Sequence, residues 1–285
     1  MDKQALAGFQ EAQAITKKYA KTFYLASLLL SKEKRNAAYS VYAVCRISDE
    51  TVDNFKTANK IGDLSKLKER INGVFNGHNF QDNILSAFKE TIDKYNIPKE
   101  YFDELMDGML LDLNQTRYNT FGDLNHYCYK VAGVIGLIML KIFGYADSRA
   151  QEYAIKIGVA MQLTNIIRDI KEDSLRGRIY LPQDEMREFG VTESDITQGK
   201  INENLKSLLK YQLNRAKDYY KSGEQGINLI TDKRSRFVAL IMKEMYAGIL
   251  SEVEKNNYNI FSKRAHLNLP KKLLIVFKEA LRRNA

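Results

Sequence analysis

Cysteine, histidine and proline are all scarce in this chain, and each scarcity removes a class of protein. Only two cysteines and three histidines occur among 285 residues. Cys45 and Cys128 stand alone without CxxC spacing, and His78, His126 and His266 are far apart, which argues against a zinc site. Both cysteines are expected to be small buried hydrophobes in a reducing compartment. The three prolines, Pro98, Pro182 and Pro270, form no Pro-rich linker, and no low-complexity stretch divides the chain, so residues 1–285 are expected to form one domain. Alternating strand-like patterns and internal repeats are also missing. No window approaches the roughly 18 uninterrupted apolar residues of a membrane span, and the N-terminus lacks the compact apolar core of a signal peptide. A cytoplasmic, all-α protein is expected.

Hydrophobic residues make up 45% and charged residues 28%, enough for a sizeable core in an ordinary globular chain. The net charge of +9 favours acidic partners: phosphorylated substrates, anionic lipid or nucleic acid. The basic residues are scattered and no nucleic-acid-binding motif accompanies them, so nucleic acid is not expected. Helical spacing recurs over 2–20, 31–53, 64–75, 83–94, 98–113, 124–143, 147–173, 201–227, 231–257 and 271–283. The stretch from Leu124 to Phe143 reads as one nearly all-round apolar helix. Its interior Gly133 and Gly136 cost about 1 kcal/mol each and need a reason, such as close helix packing or room for a ligand.

One stretch concentrates polar side chains on an apolar helix. In Met161–Asp173, Gln162, Asn165, Asp169 and Asp173 fall at i, i+3, i+7 and i+11, a single stripe bordering Leu163, Ile166, Ile167 and Ile170. A second pair, Asp49 and Asp53, lies at i, i+4 on the apolar segment containing Tyr42, with Arg46 one turn before Asp49. Oxygen-only donors suit a hard cation such as Mg²⁺, usually held by one or two carboxylates together with substrate phosphates. Two facing pairs with arginines nearby could bracket a diphosphate and stabilise it as a leaving group. An apolar bundle beneath would keep water from an allylic cation, and aromatic faces could stabilise that cation in transit. Asp103 and Asp107 repeat the spacing but are expected to mean little.

Several segments resemble the squalene/phytoene synthase family: Tyr19-Ala20-Lys21-Thr22-Phe23-Tyr24, Cys45 to Asp53, Tyr127 to Gly133, Gln162 to Asp173, and Arg176-Gly177-Arg178-Ile179-Tyr180-Leu181-Pro182. The resemblance implies an isoprenoid synthase bundle with a central apolar cavity and a head-to-head (1'-1) condensation of two identical prenyl diphosphates. It implies metal binding at Asp49, Asp53, Asn165, Asp169 and Asp173, with Gln162 in the same pocket. Mg²⁺ is the expected ion and Mn²⁺ the alternative. It further implies diphosphate contacts from Lys21, Thr22, Arg46, Arg168, Arg178, Tyr246, Arg264 and Lys271, the last three on a looser match around FSKRAHL. Tyr129, beside Tyr42, is implied in proton handling or cation stabilisation. Ala20 stands where a hydroxyl residue is frequent, and Val134 where Thr often follows. Glu50 and the RGRIYLP segment look more like phytoene synthases, which use geranylgeranyl diphosphate without NADPH. The open alternatives are a squalene, dehydrosqualene or hydroxysqualene synthase acting on farnesyl diphosphate, with NADPH in the squalene case, and a non-catalytic assembly factor. Peripheral association with an anionic membrane is a further expectation.

Overall fold

The computed structural model describes residues 2–53, 59–78 and 80–284, and among these the regular structure is helical. In chain order the helices are α1 (Lys3–Tyr19), α2 (Lys21–Ser27), α3 (Lys32–Asp53), α4 (Lys60–Phe75), α5 (Asn83–Tyr95), α6 (Lys99–Asn114), α7 (Phe121–Cys128), α8 (Val134–Phe143), α9 (Ala150–Leu175), α10 (Gln183–Glu188), α11 (Glu193–Thr197), α12 (Glu203–Glu224), α13 (Lys233–Lys255) and α14 (Leu269–Asn284). Among the described residues, bridging extended backbone is limited to single bridges, one joining Arg117 to Ile179 and one joining Tyr145 to Ile230.

Local chemistry sets many of the boundaries. Asp82 and Asn202 accept backbone N–H bonds at the starts of α5 and α12. Gly77, at φ +84°, follows the end of α4, the left-handed position that closes a helix without a Cβ penalty. Pro98 precedes α6 as its N-cap. Two boundaries differ from expectation. Asp147 supports the start of α9 by accepting from the Arg149 N–H, but the N-cap itself is Arg149, with no side-chain cap. Pro270 lies in the first turn of α14 rather than before it, which suits a residue without an N–H to lose. The short helices α10 and α11 have no apolar period long enough to be read from sequence.

The segment 124–143 is not one regular helix. Between α7 and α8, Tyr129–Gly133 forms a π-turn. Its extra residue rotates α8 relative to α7 by about 100°. The buried side chains of α7, Leu124, Tyr127 and Cys128, therefore join one core cluster, whereas Val134, Ile138, Leu140 and Ile142 of α8 join another. By length and composition Phe121–Phe143 could cross a bilayer, yet half of its most apolar window is buried inside the bundle.

The two clusters meet along α9 and α13. Close approach there explains the interior glycines: a Cβ on Gly136 would lie 2.3 Å from the Ala154 carbonyl oxygen, and one on Gly158 2.2 Å from that of Ala132 in the π-turn. Gly158→Val is expected to destabilise the protein by about 3 kcal/mol through overpacking against backbone, read as a lowered denaturant midpoint; an unchanged midpoint would refute the tight seam.

Candidate active site

Along the seam lies a cavity of about 370 Å³. Its walls are apolar: Phe23 from α2, Val41 from α3, Met139 from α8, Ala154 and Ile157 from α9, and Met242 from α13. Gly136 and Gly158 line it too, so the residues that let helices approach also leave the space open. Polar side chains gather at one end, where Tyr42, Gln162, Asn165 and Tyr246 join the wall. Since Ala150 and Asn165 of α9 both line it, the cavity follows that helix for about 22 Å at 1.5 Å per residue.

At the polar end the stripe of α9 behaves as a connected set. Asn165 Nδ2 donates to Gln162 Oε1 at 3.4 Å, while Asn165 Oδ1 is buried without a hydrogen-bond partner. Asp169 receives two guanidinium groups: Arg168 donates at 2.7 and 2.5 Å, and Arg264 at 2.7 and 2.9 Å. Burial raises the Asp169 pKa, but these bonds outweigh it and hold the carboxyl below its usual range. Asp173 goes the other way. Burial first, then the charges of Asp169 and Asp112, push it up to about 7 against the pull of Arg176 and Arg178. Arg178 also donates its backbone N–H to the Asp173 carbonyl, at 2.9 Å.

Tyr42 and Tyr246, both in the cavity wall, lie within electrostatic reach of Asp49 and Asp169 respectively. Burial pushes the Tyr42 phenol up to about 12; Asp49 and Tyr246 add to this and Arg46 opposes it. The Tyr246 phenol is likewise raised by burial, opposed by Arg168 and reinforced by Asp169. Asp49 is exposed on α3. Asp53 closes the same helix, but its side chain lies outside the described residues.

Some candidates have other partners. Arg46 pairs with Glu50 at 3.0 Å and lies over the Tyr19 ring at 4.3 Å, so its guanidinium sits between α3 and the end of α1. Lys271 pairs with Glu252 at 2.6 Å, because the first turn of α14 directs it to α13. Tyr129 begins the π-turn, its ring 3.0 Å from where a Gly133 Cβ would stand, and it is not among the residues lining the cavity. Lys21 is exposed and Thr22 half-buried at the start of α2, next to the cavity-lining Ala20. Cys45 lines the cavity, whereas Cys128 is buried in the core.

Asp112 is the residue that sequence reasoning passed over. It accepts from the Tyr180 hydroxyl at 2.6 Å and lies close enough to Asp173 to raise its pKa. Its only sequence signal is that it interrupts the apolar pattern of α6.

The donor set fits a divalent cation. Asn165 Oδ1 has no protein partner, Asp173 is disfavoured as a lone carboxylate, and the neighbouring donors are oxygens, as hard cations require. Among the described residues no three His, Cys, Asp or Glu side chains form a preassembled cage.

A helical bundle with a deep apolar cavity under an acidic and arginine-rich mouth defines a prenyltransferase of the isoprenoid synthase fold. The family described as squalene/phytoene synthase matches residues 16–271, and the chain belongs to it. It is 38% identical over 279 residues to the 15-cis-phytoene synthase of Synechococcus elongatus, covering 93% of this chain and 90% of the relative. It is also 38% identical over 263 residues to the chloroplastic phytoene synthase 2 of Solanum lycopersicum, covering 90% and 84% respectively. Among solved structures, a dehydrosqualene synthase in complex with ligand superposes with TM-score 0.92 at 28% identity, covering 98% of each chain. A squalene synthase from Alicyclobacillus acidocaldarius gives TM-score 0.84 at 26% identity, covering 91% of this chain and 97% of that one.

Proposed function

We propose that this enzyme joins two molecules of geranylgeranyl diphosphate head to head into phytoene, through prephytoene diphosphate and with release of diphosphate, in carotenoid biosynthesis. The observation that carries the C20 reading is the length of the cavity. An extended isoprenoid spans roughly 5 Å per unit at ordinary C–C geometry, so about 20 Å for geranylgeranyl and about 15 Å for farnesyl. The run of about 22 Å from Asn165 to Ala150 suits the longer chain. The curated relatives named phytoene synthase support the same reading.

Mg²⁺, with Mn²⁺ as the alternative, would be held by Asn165, Asp169 and Asp173 on one side and Asp49 and Asp53 on the other, and would supply the charge that makes diphosphate a leaving group. The protein's own groups do the rest. Arg168 and Arg264 hold Asp169 ionised and present guanidinium donors suited to diphosphate oxygens. Arg46, Arg178, Lys21 and Thr22 complete the anion-binding rim. Tyr42 and Tyr246 stay protonated at neutral pH, so their hydroxyls donate hydrogen bonds at the mouth instead of acting as bases. The apolar walls exclude water from the allylic cation. Tyr129, implied by the resemblance in proton handling or cation stabilisation, would have to turn its ring into the cavity to take that role.

The backbone likeness to a dehydrosqualene synthase favours a second reading, condensation of two farnesyl diphosphates. One experiment separates the two. The purified enzyme and its Ala154→Phe variant are incubated with C20 or C15 diphosphate, with and without NADPH. The variant would leave about 16 Å of cavity above position 154. The wild type is expected to give a C40 product without NADPH, and the variant to lose at least tenfold on C20 while retaining C15 turnover. Turnover of C15 alone by the wild type would overturn the phytoene reading.

A further inference from the structure

The helix α14 is amphipathic in an unusual sense: its apolar face points outward. Leu269, Leu273, Leu274, Phe277 and Leu281 are each between 51% and 61% exposed. At about 100° per residue they fill an arc of roughly 140°. Ile275 and Val276 pack against the core on the other side, and Glu279 is buried with an ion pair to Arg282 at 2.9 Å. Basic residues flank the apolar arc, with Lys278 and Arg282 along one border and Lys272 along the other. The helix contains one acidic residue, the buried Glu279.

We propose that this face of α14 docks the protein on an anionic lipid surface. Five large apolar side chains in one arc exceed the scattered exposure normal for a globular protein and mark an interaction surface. The flanking cations select a negatively charged partner, and a cationic border around a Leu/Phe face is the composition of a helix lying in a bilayer interface. The chain's net charge of +9 acts in the same direction.

The helix also starts near the cavity. Burial and the charge of Lys21 push the Lys272 ammonium pKa down, so the first turn of α14 lies within electrostatic reach of the first residue of α2. Ala20 and Phe23, flanking that residue, line the cavity. Docking through α14 would therefore bring this side of the cavity toward the lipid, so that a long hydrocarbon need not cross water to leave. That transfer role rests on the proposed prenyl-transfer function; the docking itself does not.

Flotation of the full chain with phosphatidylcholine vesicles, with and without anionic phosphatidylglycerol, tests the assignment. The wild type should float with anionic vesicles and release as salt rises. A triple variant, Leu273→Ser with Phe277→Ser and Leu281→Ser, should lose flotation roughly tenfold or more. It should keep the wild-type melting point and turn over detergent-dispersed substrate at the wild-type rate. Unchanged flotation of the variant, equal wild-type binding to neutral vesicles, or no wild-type flotation at all would overturn the proposal. So would a wild-type dimer that the triple substitution dissociates, because the face would then be covered by a second copy. Intact flotation with no turnover of any prenyl diphosphate would leave docking standing and remove the proposed function.

Discussion

Replacing Asp49 and Asp169 together by Asn is expected to lower turnover by at least about a thousandfold, equivalent to roughly 4 kcal/mol of lost transition-state stabilisation. Asp49 raises the pKa of the Tyr42 phenol and Asp169 that of Tyr246, and Tyr246 in turn acts on Tyr42, so the two carboxylates belong to one electrostatic neighbourhood. In the proposed reaction, diphosphate departure would develop charge beside these carboxylates, and an amide in place of each would remove the charge that recruits a cation there. The Asp169 change also releases Arg168 and Arg264, whose four bonds to this carboxylate organise the arginine side of the site. Release of labelled diphosphate, measured alongside a thermal melt, gives the result. Undiminished turnover by a folded variant would refute the assignment of both aspartates.

The second large effect concerns Asp173 in metal-free protein. Its folded pKa of about 7 lies above the ordinary carboxylate value near 3.8. Over the interval between these values the folded state retains a proton that the unfolded chain has released. Stability from this group therefore falls as pH rises from about 4 to 7, and the full penalty persists above 7. Asp173→Asn removes the penalty. The variant should match the wild type near pH 4 and exceed it at pH 8 by about 2 kcal/mol, a figure below the linkage maximum because water still reaches part of the carboxyl. Excess Mg²⁺ should raise the wild-type midpoint at pH 8 and leave the variant's little changed. A wild-type curve flat from pH 4 to 8, or an Asn variant no more stable at pH 8, would contradict the burial of this carboxylate. Asp169 has the opposite sign: with its pKa lowered, its contribution is lost only as pH falls below the usual carboxylate range.

What was legible in the sequence was local. The stripe Gln162, Asn165, Asp169 and Asp173 depends only on helix geometry, and the structure keeps it on one continuous helix. The long amphipathic helices followed for the same reason. The π-turn was invisible because Tyr129–Gly133 has no side-chain pattern that distinguishes a five-residue turn from a regular one. Partners distant in sequence were equally hidden. Arg46 finds the ring of Tyr19 on α1, Asp112 reaches Asp173 from α6, and Arg264 crosses from beyond α13 to Asp169. The Glu252 partner of Lys271 was hidden for a related reason: the short FSKRAHL match gave no information on where α14 begins. The outward apolar face of α14 was present in its spacing, but a sequence does not say which side of a helix meets the protein.

The π-turn acts as a phase shifter between two packing problems. The rod made by α7 and α8 serves one core before the turn and the other after it, and Gly158 seats the Ala132 carbonyl at the junction. Losing a single residue there would restore a uniform helix at no cost in hydrogen bonds. It would also swing Val134–Phe143 by about 100° and carry Met139 and Leu140 off the cavity wall. The chain is thus more sensitive to the count of residues between Tyr129 and Gly133 than to their identities: a conservative exchange changes a contact, whereas a deletion changes which side of the rod faces the substrate.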